Sequence, residues 1–195
     1  SAIVSPANSV GGMGGGFDEA LCQLYYTDKE NTNPTVESWI RGYLRHGYTP
    51  LGTAHVVEFY NFPDFTHSDA WTRLRANSIV VVPTMRVPRS IYDVGTSDTE
   101  EVRDSKMKNV VRFIFDCIWE ALCAVSRHNE KLETGNGTST GARTPVDSIK
   151  GKVDTLIIPG LGTGYGGLPF DIVAKGMIGA LTVWGMDLVS MNRRC

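Results

Sequence analysis

Four consecutive aliphatic residues, Ile79-Val80-Val81-Val82, constrain the fold of this chain more than any other feature of its sequence. A strand with one face in water alternates apolar and polar residues, whereas an unbroken apolar run is typical of a strand buried on both faces. Pro83 ends the run here. Burial on both faces requires helices above and below, so we expect a central sheet that is covered on both sides.

Segments of strand and helix character alternate along the rest of the chain. Short β-rich runs are followed by longer runs in which apolar residues recur every three or four positions, the spacing that gives a helix one apolar face. This alternation predicts a three-layer α/β/α sandwich with a mostly parallel central sheet. We predict strands at 2–4, 52–59, 77–82 and 153–159, and helices at 17–26, from Asn33-Pro34 to near Gly47, at 107–127 and at 170–181.

The length of 195 residues suits one hydrophobic core, so we predict a single domain over 1–195. Ser1-Ala2-Ile3-Val4 has the character of a strand already in progress, and we expect N-terminal strands upstream of this numbering to be missing. The stretch 133–151 is rich in Gly, Thr and Ser and contains almost no apolar residues. We expect it to be a mobile surface insertion within the domain.

Composition narrows the expected partners and compartment. A formal net charge of -2 leaves no basic surplus for neutralising nucleic-acid phosphates, and no apolar run approaches the roughly 20 residues of a membrane helix. We therefore expect no direct nucleic-acid partner, no membrane partner and a monomer. The four cysteines lack the spacing of a zinc site, and buried reduced thiols favour the cytoplasm or the nucleus. We expect no metal site and no cofactor.

Two glycine-rich loops, 8–18 and 159–169, each follow a predicted strand directly. In open parallel sheets, ligands bind beyond the carboxyl ends of the strands, which is where both loops are expected. Clustered glycines let the backbone N–H groups approach an anion, and the following helix adds partial positive charge. Three or four such N–H groups, each worth roughly 1.5–3 kcal/mol to a charged oxygen, can hold a diphosphate without a lysine.

The second loop also matches the G-x-G-x-x-G dinucleotide fingerprint, at Gly162, Gly164 and Gly167. Asp187 lies 20 residues beyond the last of these glycines, where an acid that binds ribose is expected. A Rossmann half, however, carries its fingerprint after the first strand and continues with further β-α-β units, whereas only 28 residues follow Gly167. The fingerprint is therefore set aside.

Taken together, the segments 2–21 and 156–169 resemble the macro-domain family. The likeness extends to Gly52-Thr53-Ala54 and to the stretch 78–88. Within the family, the sequences Ser5-Pro6-Ala7-Asn8 and 159–164 are most similar to the fungal and bacterial branch described as ADP-ribose 1''-phosphate phosphatases. The resemblance implies a small-molecule ligand, ADP-ribose or ADP-ribose 1''-phosphate.

The resemblance also implies a role for each loop. In the family, the asparagine matching Asn8 hydrogen-bonds the distal ribose, the glycines matching Gly14 to Gly16 surround that ribose, and the loop matching 160–166 holds the diphosphate. The acid that recognises adenine lies before the strand at Ala2, outside this sequence. We expect Tyr165 to cover the ribose as a lid. The ligand-binding residues expected here are Ser9, Gly14, Gly15, Gly16, Gly160, Leu161, Gly162, Thr163, Gly164, Tyr165 and Gly166.

Asn8 and Asp18 are the candidate catalytic residues. In hydrolytic family members, the aspartate matching Asp18 lies near the distal ribose and is proposed to position or activate water. An acid in the first turn of a helix is also favoured by the helix dipole alone, so both explanations of Asp18 stay open.

Three functions would use the same pocket. The resemblance implies a phosphatase that removes the terminal phosphate from ADP-ribose 1''-phosphate, a by-product of tRNA splicing. In that enzyme Asn8 would orient the substrate, Asp18 would act as the base and the loop amides would stabilise charge. The alternatives are a non-catalytic module that binds ADP-ribose and an ADP-ribosyl hydrolase that acts on modified proteins.

Overall fold

The computed structural model describes residues 1–26, 34–45, 47–87, 89, 95, 97–134 and 151–192, with side chains up to residue 186. Within these ranges the strands are β1 (Ala2–Ser5), β2 (His55–Glu58), β3 (Ser78–Val81) and β4 (Leu156–Ile157). The α-helices are α1 (Gly16–Tyr25), α2 (Val36–Leu44), α3 (Asp69–Leu74), α4 (Glu100–Glu133) and α5 (Phe170–Asn192), and a 3-10 helix at Phe65–His67 precedes α3. Most of the predicted insertion at 133–151 lies outside the described residues.

The strands form one sheet in the order β2-β3-β1-β4. The central strand β1 runs parallel to both of its neighbours, β3 and β4, whereas β2 pairs antiparallel with β3. Two of the three strand pairs are therefore parallel, and the prediction of a mostly parallel sheet between helical layers is confirmed.

Helices cover both faces of the sheet, and the alternation of side chains along each strand decides which face a residue joins. Val4 and Val80 pack with the buried residues of α4 and α5 on one face. Ile3 and Ile79 pack with those of α1, α2 and α3 on the other. The run at 79–82 is buried throughout, as expected for a strand covered on both faces.

Several predicted elements had wrong boundaries, including the helix predicted at 170–181, which extends to Asn192 as α5, and the strand predicted at 52–59, of which His55–Glu58 forms β2. The segment 153–159 was predicted as a buried strand, but β4 has two residues at the edge of the described sheet, and Ile157 is partly exposed. Helix α2 begins after Thr35, whose side chain accepts a hydrogen bond from the Ser38 N–H, and it ends where Arg45 turns into the left-handed region with φ 59°. Helix α4 begins before its apolar stripe because Thr99 caps it and charged residues form its first turns.

Among the helices in the described part of the chain, none combines the length and the apolar composition that crossing a membrane requires.

Helices α4 and α5 pack most closely at Gly176. A Cβ atom at this position would lie 2.7 Å from the Val111 carbonyl oxygen and 2.8 Å from the Ile114 Cβ, both of which belong to α4. These distances are too short for any side chain, and neither neighbour is the flexible end of a side chain. Glycine at 176 therefore sets the distance between the two helices.

We predict that Gly176→Ala destabilises the protein by about 1–3 kcal/mol, because the added methyl group forces α4 and α5 apart. Gly185→Ala is the matched control, since a Cβ at Gly185 in the same helix meets nothing within 4 Å. Removing a helical glycine there should stabilise the protein by about 0.5–1 kcal/mol. Urea unfolding of both variants measures the two changes, and equal effects would show that Gly176 does not set the helix spacing.

Candidate functional site

The first glycine loop (Asn8–Asp18) and the second glycine loop (Pro159–Pro169) line one cavity of about 460 Å³. They meet because β1 and β4 are adjacent parallel strands, so both carboxyl ends lie at the same edge of the sheet. Thr84, which follows β3, donates its N–H to the Ala7 carbonyl and keeps the next chain segment against the first loop. The cavity is lined by Pro6, Asn8, Val10, Gly12, Gly14, Gly15, Gly16, Phe17, Asp18, Met85, Pro159, Gly160, Gly162, Thr163, Gly164 and Tyr165.

The side chain of Asn8 holds the start of the first glycine loop. Its Oδ1 accepts hydrogen bonds from the backbone N–H groups of Val10 at 3.2 Å and Gly12 at 3.1 Å, and its Nδ2 donates to the Gly12 carbonyl oxygen at 2.6 Å. Asn8 is 5% exposed. Since an amide nitrogen carries two hydrogens, one donor of Nδ2 remains for a ligand. Asn8 therefore has a structural role that the sequence did not predict.

Asp18 is buried in the first turn of α1, and its Oδ1 accepts a 2.6 Å hydrogen bond from the Ser5 hydroxyl at the end of β1. Burial raises the pKa of the Asp18 carboxyl from 3.8 to about 6, while the hydrogen bond from Ser5 opposes part of that rise. A helix dipole alone does not explain burial of a carboxyl group beside a cavity. At neutral pH the group is mostly ionised and able to accept a proton.

Hydrogen bonds within the second glycine loop hold its shape. Thr163 donates through Oγ1 to the Gly160 carbonyl oxygen at 3.0 Å, and Leu168 donates its N–H to the Gly162 carbonyl oxygen at 3.0 Å. Gly162 has φ 73°, a backbone conformation that favours glycine. Gly160, Gly162 and Gly164 line the cavity, so part of this backbone faces the space where a ligand would lie.

Tyr165 reaches across the cavity from the second glycine loop to the first. Its ring lies so close to Gly15 and Gly16 that Cβ atoms at those positions would lie 3.1 Å and 3.3 Å from it. The ring is nevertheless 62% exposed. Two physical reasons thus favour glycine at these two positions: access for a ligand and space for the Tyr165 ring. The expected position of Tyr165 over the ribose of a bound ligand stays a prediction.

The structure places three predicted ligand-binding residues away from the cavity lining. Ser9 lies behind the first glycine loop, where its N–H donates to the Met85 carbonyl oxygen. The Leu161 side chain is packed in the core, since an aliphatic chain next to β4 is better buried between sheet and helix. Gly166 is turned onto the backbone of Gly162 by the tight turn of the second loop. The other predicted residues all line the cavity.

Six lining residues were missed by sequence reasoning. Pro6, Val10, Gly12 and Pro159 are sequence neighbours of predicted residues, so their position in the two loops was a usable signal. Met85 lies far along the chain and reaches the cavity because it forms a bridge with Asn8 beside β1. Nothing local in the sequence indicates that pairing. Phe17 is the sixth, an apolar residue of α1 that is 40% exposed at the cavity rather than in the core.

Among the described residues, no group of three or more His, Cys, Asp or Glu side chains is placed to hold a metal ion. The three described cysteines, Cys22, Cys117 and Cys123, carry free thiols. The lining residues of the cavity carry polar groups of three kinds: glycine-loop backbone, the Asn8 amide and Asp18 carboxyl, and the hydroxyl groups of Thr163 and Tyr165. This set suits a ligand with anionic oxygens and hydroxyl groups.

The raised pKa of Asp18 predicts how the stability of the protein depends on pH. Because the folded state holds the proton more tightly than the unfolded state, stability from this group is present below pH 4 and is lost as the pH rises through about 6. Asp18→Asn should therefore be more stable than the natural protein at pH 7.5, by about 1–3 kcal/mol, and the gain should disappear near pH 4. Urea unfolding at both pH values measures the difference.

Ser5→Ala provides the control for that experiment. The hydrogen bond from Ser5 lowers the pKa of Asp18, so its removal should move the loss of stability to higher pH. The double variant with Asp18→Asn should lose this pH dependence. A stability difference between Asp18→Asn and the natural protein that is the same at every pH would contradict a raised pKa at this position.

A comparison with protein-family models matches residues 1–143 to the macro-like domain family. The match covers most of the 195-residue chain, including the whole first glycine loop. It ends before the second glycine loop, whose place in the site rests on its geometry: it follows the strand beside β1 and lines the same cavity. The family match covers most of the sequence, and the strand order, the buried aspartate and the paired glycine loops are found in the same chain. The chain therefore belongs to the macro-like domain family.

Proposed function

We propose that this protein binds ADP-ribose derivatives in the cavity between its two glycine loops and hydrolyses ADP-ribose 1''-phosphate to ADP-ribose and inorganic phosphate. The observation that carries the proposal is one cavity that combines a glycine-loop backbone with a buried carboxyl of raised pKa, Asp18. Macro domains generally bind ADP-ribose, and the family includes hydrolases.

The shape and chemistry of the cavity support the binding half of the proposal. A volume of about 460 Å³ lies within the range of roughly 300–1,000 Å³ that is typical of small-molecule pockets. The second glycine loop would take the diphosphate, because its backbone is exposed to the cavity and leads directly into the N-terminus of α5, where partial positive charge collects. The first glycine loop, with Gly14 to Gly16, would then surround the distal ribose.

The position of Asp18 supports the catalytic half. In the proposed reaction, a water oxygen attacks the phosphorus of the 1''-phosphate, the bond from phosphorus to the 1''-oxygen breaks, and Asp18 accepts the proton that the water loses. The 1''-oxygen takes up a proton from solvent as it leaves, and Asp18 returns its proton to solvent, which gives ADP-ribose and phosphate. A base with a pKa of about 6 is ionised at neutral pH and still strong enough to take a proton.

Binding without turnover is the second candidate, and a specific observation favours it. Asn8 and Asp18 both make hydrogen bonds that hold the first glycine loop, so each has a reason to be present in a protein that only binds. The loop would have the same shape in both cases. Only the chemistry at the distal ribose separates the two functions.

Binding is tested with Gly14→Val. A Cβ at Gly14 meets no protein atom within 4 Å, and Gly14 lines the cavity, so a larger side chain should occupy ligand space without disturbing the fold. We expect ADP-ribose affinity to fall at least about tenfold, which corresponds to about 1.4 kcal/mol, in isothermal titration calorimetry. Gly42→Val is the matched control on the exposed side of α2, where a Cβ also meets nothing within 4 Å. Equal affinity in both variants would place the ligand elsewhere.

Catalysis is tested with Asp18→Asn. The amide keeps the shape of the carboxyl and can still accept the hydrogen bond from Ser5, but it cannot take a proton at neutral pH. We expect phosphate release from ADP-ribose 1''-phosphate to fall by roughly 10²–10⁴-fold, with ADP-ribose affinity within about threefold of the natural protein. The kcat of the natural protein should rise with pH through about 6.

The remaining outcomes separate the alternatives. Tight ADP-ribose binding with no phosphate release by the natural protein would leave a binding module. Release of ADP-ribose from modified proteins, without phosphate release from ADP-ribose 1''-phosphate, would identify an ADP-ribosyl hydrolase. Phosphate release that is unchanged in Asp18→Asn would remove Asp18 from the reaction.

A further inference from the structure

A second cavity, of about 330 Å³, lies between the first glycine loop and the end of α2. Ser9, Val10 and Gly11 form its wall on the loop side, and Arg41 and Arg45 form its wall on the helix side. The volume is larger than the space of about 30 Å³ that one water molecule takes in the liquid. None of the roles assigned to the main cavity uses these side chains.

Ser9 supplies a polar group that lacks a partner. The residue is 1% exposed, and its Oγ makes no hydrogen bond to any described residue. Its backbone leaves little freedom to move away, because the Ser9 N–H donates to the Met85 carbonyl oxygen at 2.9 Å and its carbonyl oxygen accepts from the Thr49 N–H at 2.7 Å. Buried hydroxyl groups in native proteins are nearly always satisfied, so a bound group is expected beside Ser9.

The charges around the cavity decide what kind of group this is. Arg41 forms a 3.1 Å ion pair with the Oε1 of Glu37, whose Oε2 also accepts a hydrogen bond from the Met13 N–H at 2.9 Å. Arg45 forms no ion pair within the described part of the chain. Two guanidinium groups and one carboxylate leave one positive charge in excess. An oxyanion would neutralise that charge and accept a hydrogen bond from the Ser9 hydroxyl.

The second cavity adjoins the main cavity. Val10 lines both of them. Gly12 lines the main cavity, and a Cβ on Gly12 would lie 3.8 Å from the Nη2 of Arg41 and 3.4 Å from the Nδ2 of Asn8. The backbone of Gly11 and Gly12 is therefore the thin wall between Arg41 and the end of the main cavity at which Asn8 lies.

We propose that the second cavity is a phosphate-binding subsite, in which Arg41, Arg45 and the Ser9 hydroxyl bind the oxygens of a phosphate group. The phosphate is free inorganic phosphate, because the backbone of Gly11 and Gly12 separates this cavity from the main cavity, in which Asp18 would act on a ligand-borne phosphate. The subsite therefore does not depend on the proposed function.

Calorimetric titration of the natural protein with sodium phosphate, at constant ionic strength in chloride, tests the proposal. The titration is repeated in the presence of ADP-ribose, which occupies the main cavity and removes phosphate binding there. We expect phosphate to bind in both titrations, because ADP-ribose leaves the second cavity open.

Arg45→Gln and Arg73→Gln are the matched variants for the phosphate titration. Both remove one positive charge from an exposed arginine, but Arg73 lies on α3 and pairs with Asp69. Arg45→Gln should reduce phosphate affinity by about tenfold, while Arg73→Gln should leave it unchanged. ADP-ribose affinity should be the same in both variants. Equal losses of phosphate affinity would mean attraction by net charge and would overturn the subsite.

Ser9→Ala adds a test that does not depend on the ligand. Because the hydroxyl has no partner, its removal should raise the Tm of the phosphate-free protein by about 2–4 °C. The same variant should gain less stability than the natural protein when phosphate is added. Absence of phosphate binding by the natural protein would overturn the proposal. Phosphate binding that depends on Arg45 in a protein that does not bind ADP-ribose would keep the subsite and overturn the proposed function alone.

Discussion

The hydroxyl of Ser5 donates a 2.6 Å hydrogen bond to the buried carboxyl of Asp18, and this contact joins the end of β1 to the first turn of α1. The first glycine loop begins and ends at these two elements. The bond thus ties together the two segments that flank this loop, whose Met13 side chain packs in the core. Burial of the charged carboxyl group costs free energy, and this cost raises the pKa of Asp18. The carboxyl group that anchors the loop is therefore also the candidate base.

A second constraint comes from the adjacency of β1 and β4. These strands are separated by about 150 positions in the chain, yet their parallel pairing brings the two glycine loops to one edge of the sheet. The Tyr165 ring then reaches Gly15 and Gly16 of the opposite loop. The cavity therefore exists because β1 and β4 are paired. Either loop alone would be a turn with exposed backbone.

Some polar groups of the first glycine loop form hydrogen bonds that hold the loop, and others remain available to a ligand. Asn8 uses both ends of its amide to hold the loop backbone and keeps one donor hydrogen for other uses. Glu37 ties the same loop to α2 through the Met13 N–H and holds Arg41 beside it. The shape of the loop, the main cavity and the second cavity thus depend on a shared set of contacts. Variants that keep the hydrogen-bond geometry are therefore the informative ones, because they leave these contacts in place.

The sequence by itself determined the layered architecture, most of the helix positions and the two loops of the site. Burial of the run at 79–82, helical periodicity and glycine clustering are local patterns, and local sequence reports them. Only the tertiary structure decided that Met85 lines the cavity, that the Ser9 hydroxyl is buried without a partner and that Asp18 lies under Ser5. Each of these facts depends on contacts between residues distant in sequence, or on the exclusion of water by the assembled layers. The sequence of a single segment contains no information about such contacts or about such exclusion of water.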